Sequence, residues 1–131
     1  MPITFTFHNE HGFFVSTWVG VISDSDLLQS YKELLEDERF KPGFNEIADT
    51  RKAQIGGVTA EAFYRLNSMV EQHLAGKTEG FKTAVMAATD VTYGTARIYD
   101  AASDSSTESV LVFREVDEAL KWIGVDDFTL E

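Results

Sequence analysis

The chain has 131 residues, 44% hydrophobic and 25% charged, a balance that fits one globular domain with a real core and favours neither a disordered nor a fibrous class. With 22 acidic residues against 11 basic ones the net charge is −11, which repels nucleic-acid phosphates and anionic lipid headgroups. Cysteine is absent, so disulfides, thiolate metal sites and cysteine nucleophiles are excluded as well.

The amino-terminal stretch MPITFTFHNEHG has no basic segment leading into an apolar core, and no apolar run approaches membrane-spanning length. A cytoplasmic protein without membrane insertion is the expectation. Ile3, Phe5 and Phe7 alternate with Thr4, Thr6 and His8, the pattern of a half-buried strand. A turn at residues 9–12 leads into FFVSTWVG (residues 13–20), whose aromatic and β-branched content predicts a second strand and hence an antiparallel hairpin. Ser23 is a natural N-cap, Asp24 and Asp26 suit the positive end of a helix, and Leu27, Leu28, Tyr31, Leu34 and Leu35 recur at helical spacing. That helix runs to about Glu38.

Pro42 and Gly43 break the chain before FNEIAD (residues 44–49), a short third strand, and residues 50–58 read as irregular. Thr59 caps a helix with Phe63, Leu66, Val70 and Leu74 on its buried stripe and Gly76 beyond its end. A strand over residues 81–89 follows, then a helix over residues 90–102 with Val91, Thr95, Ile98 and Ala102 on one face. Gly94 within it costs about 1 kcal/mol relative to alanine, which suggests a close approach there. The loop SDSST (residues 103–107) is polar and expected to be mobile. A strand over residues 108–114 and a helix over residues 115–123, closed by Gly124, complete the chain.

This order predicts an α/β fold of one layer pair: a five-stranded mixed sheet, sequentially ordered and mostly parallel, with the first strand antiparallel at an edge. Together with DVTYGTARIYD (residues 90–100) and VFREVDEALKWIG (residues 112–124), it resembles the SpoIIAA-like family of STAS-type domains over nearly the whole chain. The resemblance implies a single (β/α) right-handed superhelical domain, similar also to the CRAL-TRIO lipid-transfer fold. It implies a regulatory role too, since the best understood relatives are anti-sigma-factor antagonists phosphorylated on a serine at the start of the helix after the third strand. This chain departs from that pattern: residues 49–59 read DTRKAQIGGVT, without a serine.

Three places carry candidate chemistry. Asp49, Thr50, Arg51 and Lys52, a Gly56-Gly57 pair and the helix start at Thr59 offer an anion or phosphate site, or else an ordinary ion pair and turn. Tyr93, Gly94, Arg97 and Tyr99 stand where open α/β sheets place ligands, at the carboxyl ends of parallel strands. Arg97 there meets either an anionic group or a structural partner such as Asp90 or Asp100. His8, Glu10 and His11 are metal-ligand types, but a tight turn does not aim three side chains at one point, so no metal or cofactor is expected. The aromatic load, including Phe14, Trp18, Phe63 and Trp122, packs the core, forms a dimerising face at Phe14 and Trp18, or lines a hollow for an apolar ligand.

No nucleophile elbow, phosphate-binding glycine fingerprint or catalytic acid pair is legible. The expectation is a non-catalytic STAS-like regulatory or protein-interaction module, a homodimer with a protein partner. The alternative is a carrier or sensor for a small apolar or anionic lipid-like ligand.

Overall fold

The alternation of Ile3–His8 becomes strand β1, and a 3-10 turn, Asn9–His11, closes at Gly12 with φ of 69°, a left-handed conformation glycine adopts without strain. Strand β2 is Phe13–Val21 and pairs antiparallel with β1, from Ile3 opposite Trp18 to His8 opposite Phe13. Beyond it the computed structural model sets β3 (Asn45–Gln54), β4 (Phe81–Met86) and β5 (Glu108–Phe113) in parallel, giving one sheet in the order β1-β2-β3-β4-β5. Described are residues 2–77, 80–102, 108–126 and 128–130, with the backbone alone for residues 100–102. The loop of residues 103–107, and the side chains of Asp100 and Ala102, lie outside the described residues.

Helices α1 (Asp24–Glu36), α2 (Ala60–Leu74) and α3 (Asp90–Ala102) lie side by side over one face of the sheet. Helix α1 begins in a reciprocal capping box between Ser23 and Asp26, and α2 begins at Thr59, whose hydroxyl accepts from the Ala62 amide at 3.1 Å. Leu27, Tyr31, Leu34 and Leu35 of α1 and Phe63, Leu66, Val70 and Leu74 of α2 are buried against Ile3, Phe14, Trp18, Ala48 and Val85. Each such apolar side chain contributes roughly 2 kcal/mol by leaving water.

Helix α4 (Val116–Ile123) packs on the opposite face, so there are three layers where a single layer pair was expected. Ala119, Leu120 and Ile123 cover Phe13, Val15, Ile47, Ala84 and Met86. Coverage on both faces explains the run Ala84–Val85–Met86, buried at every position instead of at every second one. The exposed aromatic face expected at Phe14 and Trp18 is absent, since both lie under α1 to α3 and are only 2% and 5% exposed, while α4 covers Phe13 on the other side.

Strand β3 is longer than its apolar pattern. From Thr17 opposite Asp49 to Val19 opposite Lys52, two steps on β2 match three on β3, so β3 carries a bulge at residues 50–51. The bulge returns Ala53 and Ile55 to the inner face already lined by Ala48, and only residues 55–59 turn into α2. Thr50 and Arg51 therefore stand on a strand, not in the irregular segment expected there.

A candidate ligand cavity

The inner face of the sheet is not uniformly apolar. In register, Ser16 lies opposite Ala48, two residues along from Glu46, and Thr83 stands opposite Glu46 and two residues along from the Phe81–Glu108 pair. The four side chains make a polar belt across β2, β3, β4 and β5 under the three helices, all at most 5% exposed.

Each carboxyl in this belt is held by a hydroxyl of the sheet and a phenol of a helix. Ser16 Oγ and Tyr31 Oη both donate to Glu46 Oε2, at 2.6 and 2.5 Å, while Trp18 Nε1 donates to Ser16 Oγ at 2.9 Å. On β5, Thr83 Oγ1 donates to Glu108 Oε2 at 2.5 Å and Tyr99 Oη donates to Glu108 Oε1. Such bonds are required, because a buried carboxyl without donors costs several kcal/mol. Burial pushes Glu108 up to about 7, against the pull of Thr83 and Tyr99, and pushes Glu46 up as well. The Tyr31 and Tyr99 hydroxyls are raised well above the ordinary phenol value, first by burial and then by the neighbouring carboxyls.

Above the belt is a cavity of about 50 Å³, walled by apolar side chains such as Phe14, Leu34, Phe63, Leu66, Val70 and Val85. Tyr31, Glu46, Thr83, Tyr99 and Glu108 form its polar floor. A hollow between sheet and helices was one of three expected outlets for the aromatic residues. The two carboxyls at its floor were not anticipated.

Of the polar residues singled out from sequence, Thr50 and Tyr99 line this cavity, and the others sit elsewhere. Asp49 opposes Met86 in the register, so residues 49–59 and the start of α3 do share the carboxyl end of the parallel strands. Within that rim, Arg51 Nε and Nη2 donate to the two oxygens of Asp49 at 2.8 and 2.9 Å, a partly buried bidentate pair. Thr50 is 1% exposed and donates to the Met86 carbonyl at 2.6 Å, so its hydroxyl ties β3 to β4. Thr59 donates from its amide and its hydroxyl to the Asp24 carboxylate, both at 2.8 Å. An acidic group of the chain itself thus occupies the helix start proposed for an anion.

Around α3, the Arg114 guanidinium lies over the Tyr93 ring at 5.1 Å and pairs with Asp90. Arg97 is exposed one turn further along. An added Cβ at Gly94 meets no neighbour within 4 Å, so the close approach expected there does not occur among the described residues. The rings of His8 and His11 both pack against Phe13 and Phe128. Among the described residues no group of three or more acidic or imidazole side chains is placed to hold a metal, and no helix is long and apolar enough to cross a membrane.

No protein-family profile matches the sequence, and no curated protein matches it. Among solved structures, a DUF3478-family protein from Shewanella loihica PV-4, with a SpoIIAA-like fold, aligns over 92% of this chain and 91% of its own with a TM-score of 0.57. This chain has a SpoIIAA-like fold. At 13% identity the likeness extends to the SpoIIAA-like arrangement of strands and helices, not to the roles of side chains.

Proposed function

We propose that the protein is a non-catalytic SpoIIAA-like binding domain, single and cytoplasmic, whose cavity between the sheet and α1 to α3 takes a small apolar ligand, as a carrier or sensor does. The observation that carries this reading is the pairing of an apolar hollow with two buried, hydrogen-bonded carboxyls at its floor. Apolar walls with a few fixed polar groups are the usual make-up of a small-molecule site. The reading is tested by native mass spectrometry of freshly purified protein: a retained adduct, lost when Val70→Trp fills the hollow, is the expected result. Bare chain mass, with no stabilisation by any small apolar compound, would overturn it.

A second reading, a STAS-type regulatory module that docks a protein, is favoured by the rim at the carboxyl ends of the strands. There Val19, Val21 and Val91 are 52%, 70% and 70% exposed, and a Cβ added at Gly56, in the turn after β3, would stand 3.6 Å from the Val91 side chain. Three exposed valines beside the partly buried Asp49–Arg51 pair suit a protein contact better than they suit water. Cross-linking in the source cell, compared between the native chain and a Val19→Asp/Val21→Asp variant, tests it; sedimentation of the same pair tests whether the partner is a second copy. Identical cross-links and identical sedimentation would remove this reading.

A further inference from the structure

The chemistry of the cavity's floor narrows the ligand, and the inference rests on the ligand-binding reading above. Charge is the first constraint. None of the described residues lining the hollow is Lys, Arg or His, and the positions outside the description add no such residue in the sequence. A carboxylate or phosphate entering there brings negative charge next to Glu46 and Glu108 with no cation to offset it, in surroundings where an unpaired ion is costly.

Hydrogen bonding is the second constraint. Thr50 donates to the Met86 carbonyl, Thr83 and Tyr99 donate to Glu108, and Ser16 and Tyr31 donate to Glu46 Oε2. Every hydroxyl at the floor is therefore committed. Glu46 Oε1 has no hydrogen-bond partner among the described residues, although Glu46 is only 5% exposed and lines the cavity. Ionised, this oxygen needs a donor; protonated, it carries an O–H that needs a lone pair. A hydroxyl meets either need and an ammonium meets the first, pairing its charge with the ionised carboxyl, whereas a carboxylate meets only the second and adds negative charge.

We infer that the cavity selects an apolar molecule with a protic head group free of negative charge, an alcohol or a primary amine, received at Glu46 Oε1. Size limits the chain attached to that head. The hollow of about 50 Å³ is roughly a third of the ~150 Å³ that accommodates benzene, so short chains enter first.

The test is a titration of isotope-labelled full-length protein at pH 7.5 with 1-butanol, 1-butylamine and sodium butyrate, followed by amide chemical shifts. Saturable shifts of the Tyr31, Glu46 and Thr83 amides are expected with butanol and butylamine, and affinity at least about tenfold weaker for butyrate. Butyrate binding there as tightly as butanol would overturn the inference while leaving a ligand cavity in place. Failure of all three to bind would remove the cavity reading itself. Glu46→Gln keeps acceptors for Ser16 and Tyr31 but loses the carboxyl, so butylamine should weaken at least about tenfold and butanol less than about threefold. Unchanged butylamine affinity in that variant would refute the role of Glu46, and if the variant does not fold, the ranking of the three compounds on the native chain decides.

Discussion

Replacing Glu108 with glutamine should make the protein more stable at pH 8 and leave it nearly unchanged at pH 5. Glu108 is 5% exposed, and burial raises its carboxyl from 4.5 to about 7. A carboxyl raised on folding contributes its full stability below the unfolded value and loses it as pH rises through the folded one. Each pH unit over which the folded chain holds a proton already released by the unfolded chain costs about 1.4 kcal/mol, so the loss between pH 4.5 and 7 amounts to about 3 kcal/mol. The glutamine side chain does not titrate, and its amide keeps one acceptor and gains donors opposite Thr83 and Tyr99 at a geometric cost of about 1 kcal/mol. The net expectation is a gain of about 2 kcal/mol at pH 8 and a change within about 1 kcal/mol at pH 5. Urea unfolding of both proteins at half-unit steps from pH 5 to 8 reads the difference directly, and any slope left in the variant belongs first to Glu46, which is raised in the same direction. Parallel stability curves for the two proteins would refute the reasoning, as would a native chain no less stable at pH 8 than at pH 5.

Tyr31→Phe removes the 2.5 Å donor to Glu46 Oε2 without changing the ring that packs edge-on against Phe5, and denaturant unfolding should show a loss of about 1–3 kcal/mol, larger at pH 8 than at pH 5. Thr59→Ala deletes both the cap on the Ala62 amide and the hydroxyl bond to Asp24, and thermal unfolding should report a loss of about 1–2 kcal/mol. An unchanged midpoint would show that α2 does not depend on that cap. Phe13→Ala empties a fully buried site under α4 and should cost about 3–5 kcal/mol in urea unfolding; a loss under about 1 kcal/mol would mean that the α4 face is not a second core.

The element order and the antiparallel edge were legible because local patterns reported them: alternation in Ile3–His8, the caps at Ser23 and Thr59, and short connections that favour parallel crossovers. The far end of β3 was not, since Thr50, Arg51, Lys52 and Gln54 offer no apolar alternation, and the bulge there shifts the register that alternation would follow. The side taken by α4 was equally silent, because an amphipathic helix states that one face is buried and not against which side of the sheet. The buried carboxyls were hidden for a different reason. Period two places Glu46 with Ala48 and Glu108 with Val110 on the inner face, so the signal was present in both strands. It is normally overruled, because a glutamate buried alone is too costly and is read as facing water. What makes burial tolerable here is the arrival of Tyr31 and Tyr99 hydroxyls from helices 15 and 9 residues away in the chain, a contact made only once α1 and α3 lie on the sheet. A glutamate in phase with the apolar residues of a strand, with tyrosines on the inner stripes of the flanking helices, is therefore better treated as an inward group awaiting a phenol than as a break in the pattern.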